Sequence, residues 1–323
     1  MSSLIKEGSY GCAFTPPLPC KKQKPQAGRI VGKVMKKKNA EIELSIASLV
    51  KAIPNYEDYY LVQEESDCSE ENFQSLRKVY GANCKVLQGV HSKSLTQLLA
   101  PYGGTTLAHV AFDSKFQYLN LFKQLLTAVA KLNAQGICHY DLHGNNITVD
   151  FKGKLRIIDF GSAFVGDQIT EEQTKKHMYS FQPTYPPQPP ELSVQNGLNS
   201  NLGMAFSIQS TMEEKKVFPL AQSLLGLSIE EQRKVLAEFW ARDQMWKGGQ
   251  SWVPWFRAYW RSWDGWAVGI LFLEILRKML LIPSFVNGEY ATHGVRIRYV
   301  LKGLLNANPL LRMTAGEALL ALS

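Results

Sequence analysis

The sequence has no Cys-x-x-Cys pair; its five cysteines, at 12, 20, 68, 84 and 138, are odd in number and widely spaced. A zinc site or a dense disulfide scaffold is therefore not expected, and free thiols in a reducing, intracellular compartment fit the pattern better. No secretion signal is expected, because Lys6 and Glu7 interrupt any apolar run almost at once. A clean membrane span is missing too: the one candidate, Trp266 to Phe285, carries Glu274, Arg277 and Lys278 and reads as a buried helix. What remains is a 323-residue chain, 45% apolar, enough for one large or two intimately packed domains. Its net charge of +8 is uneven, since Lys21 to Lys38 holds eight Lys or Arg and no acid. Such a stripe is either a solvated loop and strand face or a contact for an acidic partner: nucleic acid, acidic lipid or an acidic substrate region.

The densest chemistry lies between His139 and Gly161, HYDLHGNNITVDFKGKLRIIDFG. Ile147 to Val149 and Leu155 to Ile158 are β-prone runs separated by Asp-Phe-Lys-Gly turn chemistry, so a hairpin is expected. That hairpin sets Asn146 and Asp159 at neighbouring strand ends. Two oxygen donors there suit Mg2+, which takes one or two protein ligands beside substrate phosphates. Asp141, one loop turn away, is expected to face an incoming hydroxyl as base or orienting group. A capping role for each acid is the plain alternative, but the order of the three elements favours a phosphoryl-transfer site.

This stretch resembles the catalytic loop and metal-binding triplet of protein kinases, H-R-D-x-x-x-x-N and D-F-G, with Tyr140 where Arg is usual. The resemblance implies Asp141 as catalytic base, Asn146 and Asp159 as metal ligands, and Phe160 as the residue whose packing sets the active or inactive state. His143 stands where a lysine usually contacts the γ-phosphate. Upstream, LIKEGSYGCAF resembles the Gly-rich loop G-x-G-x-x-G-x-V, with Gly8, Ser9, Tyr10 and Gly11 in the turn, Lys6 at the first Gly position and Ala13 at the Val position. Lys33, a charge inside the apolar run Ile30 to Met35, resembles the strand lysine that holds the α- and β-phosphates. A helix is expected over Glu41 to Ile53, and Glu41 or Glu43 is the candidate partner of Lys33; the family's spacing back from Pro54 favours Glu43. LTQLLAPYGGTTL, 95–107, resembles the hinge, which implies that backbone groups near Ala100 to Tyr102 meet the adenine edge.

Further matches lie downstream. Phe116 to Leu132 has a helical apolar stripe ending at Gly136. Residues 162–191 lack periodicity and correspond to the activation segment, with Thr184 matching the threonine of Ser/Thr kinases and Pro190-Glu191 closing it. Tyr140 in place of the phosphate-receiving arginine implies activity without activation-loop phosphorylation. Asp264-Gly-Trp-Ala-Val-Gly fits the family's D-x-W-x-x-G, which implies that Asp264 holds the catalytic-loop backbone; Arg312 is expected to pair with Glu191. Between these lies an insertion, about 192–261, and all seven tryptophans fall between Trp240 and Trp266, a cluster read as core in preference to a docking face. Residues 56–90 are expected to add strands to a small sheet.

The implied fold is α+β, two-lobed: a β-rich N-lobe, 1–102, and a larger, mainly helical C-lobe, 103–323, with ATP between them. The implied activity is transfer of the γ-phosphoryl group of Mg-ATP to protein Ser or Thr. The Y-G-C-A-F-x-P-P-L start, I-V-G-K-V-M and Ile-Pro-Asn-Tyr look most like divergent kinases of large DNA viruses, which implies host cytoplasm or virion. Two other classes stay open: small-molecule phosphotransferases, which H-x-D-L-H-x-x-N also resembles, and a pseudokinase scaffold using the Trp-rich insertion.

Overall fold

The computed structural model describes residues 2–8, 11–20, 29–66, 68–243 and 251–323. Two compact units divide the chain: 1–104 with 156–161, and 105–155 with 162–323.

In the first unit, β1 (Ser3–Glu7), β2 (Gly11–Thr15), β3 (Ile30–Lys36), β4 (Glu64–Glu65) and β5 (Leu95–Pro101) form one sheet in the order β1-β2-β3-β5-β4. The β2–β3 register sets Ala13 opposite Lys33 and Gly11 opposite Met35. A side chain at Gly11 would collide with the Val34 carbonyl, so this glycine serves close strand approach. Helix α1 (Lys37–Lys51) follows β3 directly and buries Ala40, Glu43, Ile46, Ala47 and Val50, a spacing of three to four that lays one stripe inward. Glu43 is thus carried on the buried face.

The strands expected over 56–90 are mostly helices: α2 (Glu70–Tyr80) and α3 (Lys85–Gly89), with Glu64–Glu65 the one strand there among the described residues. Ser69 and Asn72 form a reciprocal capping box that starts α2. Phe73, Leu76 and Leu87 then pack with Phe14, Val34 and Leu95 as core. The cysteines also depart from expectation. Cys12 pairs with Cys84 and Cys20 with Cys68, leaving Cys138 free and buried. These partners lie 72 and 48 residues apart, so local spacing held no sign of them, and the thiol argument for a reducing compartment lapses.

Residues 156–161 join this unit through Ile157, whose N–H donates to the Tyr59 carbonyl at 2.9 Å and whose carbonyl accepts from Leu61 N–H at 3.0 Å. Phe160, buried, meets the Tyr60 ring edge-on at 6.1 Å between centroids.

The second unit is mainly helical. Strand β6 (Thr105–Thr106) pairs with β8 (Ile147–Val149), and β7 (Ile137–Cys138) with β10 (Phe164–Val165). Strand β9 (Leu155–Ile157) follows β8 through a turn in which Asp150 Oδ1 accepts from Lys152 and Lys154 N–H, at 2.8 and 3.0 Å. Helix α4 (Tyr118–Ala134) packs on the helix Trp263–Met279, where Phe122 and Phe272 stack at 4.4 Å between centroids. Among the described residues no helix is long and apolar enough to cross a membrane.

Among the described residues five helices lie within 190–259, and Trp240, Trp255, Trp260, Trp263 and Trp266 are all buried. The aromatic cluster is core; Trp246 lies outside the described residues. The segment expected to be irregular, 162–191, contains a helix, Glu171–His177, started by a Thr170–Gln173 capping box.

Candidate active site

The first unit supplies a three-residue ion cluster. Lys33 Nζ lies 2.5 Å from Glu43 Oε1 and 2.8 Å from Asp159 Oδ1. Burial works to lower the Lys33 pKa, but Glu43 and then Asp159 outweigh it and hold the ammonium above its ordinary range. Burial pushes Glu43 up to about 6 against the pull of Lys33, so it remains a carboxylate at neutral pH. Glu41, on the exposed side of α1, is not the partner. A Cβ at Gly161 would come within 2.7 Å of Glu43 Oε1, which explains the glycine after Phe160. Asp159 has φ 65°, a left-handed conformation that costs a non-glycine residue and marks a site held in place by its surroundings.

The Gly-rich turn is closed by Gly8 N–H donating to the Gly11 carbonyl at 2.8 Å. Ser9, Tyr10 and the Lys6 side chain lie outside the described residues. Ala100 pairs with Val31 in the sheet. At Tyr102, the N–H donates to the Arg29 carbonyl at 2.8 Å and the Arg29 guanidinium lies over the ring at 3.9 Å, so this N–H, one of the backbone groups from Ala100 to Tyr102 expected at an adenine edge, is used within the first unit.

The second unit supplies the loop His139 to Asn146. Buried Asp264 accepts from His139 N–H at 2.7 Å and Tyr140 N–H at 2.9 Å. Burial raises the Asp264 pKa, and these loop contacts oppose the rise. Tyr140, also left-handed at φ 67°, donates its hydroxyl to the His177 carbonyl at 2.8 Å and packs on His177, Phe164 and Trp263. An aromatic contact thus ties the loop to the following segment where the family uses arginine.

Asp141 is held on several sides. Asn146 Nδ2 donates to its carbonyl at 2.9 Å and its Oδ2 at 3.3 Å. His143 Nδ1 accepts from Asn145 N–H at 3.2 Å, which leaves the ring proton on Nε2, 3.7 Å from Asp141 Oδ1. Tyr185 donates its hydroxyl to the same Oδ1 at 2.6 Å. Thr184, the residue singled out in the sequence, is exposed, and its neighbour makes this contact. A cavity of about 340 Å³ opens beside the loop, lined by His143, Tyr185, Pro186, Ile270 and Glu274 among others.

Two residues here escaped the sequence reading, Tyr185 and Lys215. Lys215, buried at the end of the helix Met204–Glu214, donates to the Tyr185 carbonyl at 2.8 Å. Its burial lowers its pKa from 10.5 to about 7, with Glu191 opposing. The folded state therefore binds fewer protons than the unfolded state between those two values, so this group's contribution to stability rises with pH across that window. Below the lower value both states are protonated and the burial cost is felt in full. Relative to Lys215→Met, the wild type is expected to gain about 1.4 kcal/mol per pH unit above neutrality. Denaturant unfolding of both proteins at a series of pH values checks this, and parallel curves would contradict it.

Each of the two expected metal ligands offers a hard oxygen of the kind magnesium takes: in the second unit Asn146 commits its amide nitrogen to Asp141 and keeps its amide oxygen as a donor, and in the first unit Asp159 offers a carboxylate with a side chain 39% exposed. Among the described residues no three-residue His, Cys, Asp or Glu cluster suited to a metal occurs.

Comparison with known proteins agrees with this architecture. The family model described as "Protein kinase domain" matches residues 30–204, more than half of the 323-residue chain. The chain belongs to this family and has its two-lobed α+β fold. It is similar to Sperm motility kinase 2B of Mus musculus, 44% identical over 72 residues, 22% of this chain and 14% of that protein. It is also similar to Serine/threonine-protein kinase PSK1 of Saccharomyces cerevisiae, 44% identical over 50 residues, 16% of this chain and 4% of that protein. A third relative is CBL-interacting serine/threonine-protein kinase 12 of Arabidopsis thaliana, 41% identical over 51 residues, 16% of this chain and 10% of that protein. The matched segments are thus small fractions of the relatives' own lengths.

Proposed function

We propose that the chain is a Ser/Thr protein kinase that transfers the γ-phosphoryl group of Mg-ATP to protein hydroxyls. The observation that carries this reading is the ion cluster of Lys33, Glu43 and Asp159, because a lysine held between two carboxylates is a positioned, permanently charged phosphate donor contact. Lys33 holds the α- and β-phosphates, and Glu43 fixes its direction. Asn146 and Asp159 are the metal ligands, and bound magnesium supplies neutralisation of phosphate charge. Asp141 orients the acceptor hydroxyl and receives its proton, while His143 donates toward the transferring group. Catalysis of this kind is positioning and electrostatics.

Tyr140, bonded to the His177 carbonyl, ties the loop to the activation segment without a phosphate, which supports activity in the unmodified chain. The Ser/Thr assignment draws on the names of the partial relatives, and placement near kinases of large DNA viruses on the Tyr10 to Leu18 and Ile30 to Met35 motifs. A small-molecule phosphotransferase is the second reading, favoured by His143 beside Asp141. A scaffold built on the tryptophans is disfavoured because five of them are buried.

Incubation with γ-labelled ATP, Mg2+ and either generic proteins or an aminoglycoside and choline separates the classes. Label on Ser or Thr of added protein is expected. Label on the small molecules alone would transfer the assignment to the second class.

A further inference from the structure

The two disulfides of the first unit sit in unlike surroundings. Cys12 and Cys84 are buried among Phe14, Val34, Phe73 and Leu87, an apolar packing that disfavours a thiolate. Cys20–Cys68 has a polar cradle instead. Gln97 of β5, fully buried, donates through Nε2 to both of its sulfurs at 3.5 Å, and Ser66 Oγ donates to Cys68 Sγ at 3.2 Å. The Leu18 carbonyl lies 3.5 Å from Cys20 Sγ, an acceptor for the proton that a thiol there would carry. Leu18 also fixes the cradle: its N–H donates to Gln97 Oε1 at 2.9 Å and its carbonyl accepts from Gln97 Nε2 at 3.1 Å. Cys68 is partly exposed, the one of the four bridged cysteines that is, so a small thiol can approach it.

We propose that Cys20–Cys68 is a reversible thiol–disulfide exchange site, opened by a low-molecular-weight thiol of the glutathione class while Cys12–Cys84 stays closed. In the first step the thiolate of the small molecule bonds to Cys68 Sγ, the Cys20–Cys68 bond breaks, and Cys20 leaves as a thiolate held by Gln97. A second small thiolate then bonds to the sulfur of the first, and Cys68 leaves as a thiolate held by Ser66 and Gln97. Both cysteines take up the protons that the two small thiols lost. Two electrons have passed to the bridge, and the small thiols have become one disulfide. Donors on both sulfurs stabilise the reduced pair, and a bridge whose reduced form is stabilised is the more readily opened one. Opening unties the segment that follows β2 from the residue preceding the Ser69 cap of α2. Cys12–Cys84 continues to hold β2 to the start of α3.

The test equilibrates the full chain in glutathione buffers of graded reduced-to-oxidised ratio, quenches with acid, alkylates in denaturant and maps the peptides. Far-UV circular dichroism is recorded at each ratio before the quench, and Cys138, already free, marks complete alkylation. Cys20 and Cys68 are expected to open at a ratio at least about 10-fold lower than Cys12 and Cys84, with the spectrum unchanged and the bridge re-formed by glutathione disulfide. Ser66→Ala is expected to raise the ratio needed at Cys20–Cys68 by about 5-fold, the loss of one hydrogen bond to sulfur, and to leave Cys12–Cys84 unmoved. Both bridges opening in one transition, Cys12–Cys84 opening first, a bridge that does not re-form, or loss of the spectrum as Cys20–Cys68 opens overturns the proposal. An unshifted ratio in Ser66→Ala overturns the cradle as its cause. Alkylation of Cys20 and Cys68 before any reductant is added overturns the bridge itself.

Discussion

Asp141→Asn is expected to slow phosphoryl transfer to added protein by about 10²–10⁴-fold, the usual contribution of a positioned acid or base. The substitution keeps the shape of the side chain and an oxygen that can accept from Tyr185, so the loop contacts through Asn146 and Asp264 persist. Nucleotide contacts assigned to Lys33 and Asp159 are untouched. The loss therefore falls on kcat, with KM for ATP close to the wild-type value. Asp159→Ala has a different signature. It removes the proposed metal ligand and one of the two carboxylates holding Lys33, so the Mg2+ dependence of ATP binding is expected to weaken along with turnover. Steady-state kinetics of both variants over ATP and Mg2+ concentration checks the contrast; equal effects on kcat and KM in both would contradict the separate roles.

Arg312→Met is expected to lower the thermal midpoint by roughly 10 °C, from a loss of about 3–5 kcal/mol. Arg312 and Glu191 form a bidentate pair, Nη1 to Oε1 at 2.7 Å and Nη2 to Oε2 at 2.6 Å, with both side chains fully buried. Arg312 Nε also donates to the Asn306 carbonyl at 2.9 Å, and its guanidinium lies 5.0 Å from the centre of the Trp266 ring. Removing one partner strands the Glu191 charge in a dry interior, which costs more than the pair contributes. Glu191→Met with Arg312→Met removes both charges and is expected to recover part of the loss. Calorimetry of the two variants decides this: a double variant less stable than Arg312→Met would mean that the pair adds stability beyond cancelling its own burial.

How much of this was legible depended on whether a residue contradicted its surroundings. Lys33 stands out because a charge in an apolar strand needs a partner; Glu41 and Glu43 lie on different faces of one helix, so only one can serve, and Glu43 is preferred on the family's spacing back from Pro54. Asp264 and Arg312 were visible through the resemblance of their local motifs to those of the family. Tyr185 was not, since nothing in Pro-Thr-Tyr-Pro says which side chain the turn delivers to Asp141. Lys215 sits in an ordinary polar helix end, and only the packing of the insertion buries it. Long-range pairing hid Cys12–Cys84 and Cys20–Cys68. The helices over 70–89 did have a signal in Ser69 and Asn72 with Phe73 and Leu76, but the polar residues around them masked the period.

The most direct test of the central claim is the rate at which the wild type and Asp141→Asn move label from γ-labelled ATP to Ser or Thr of an added protein in the presence of Mg2+. The account predicts transfer by the wild type and at least about 100-fold less by the variant. Transfer retained in Asp141→Asn, or none by a wild type that binds ATP, would contradict it.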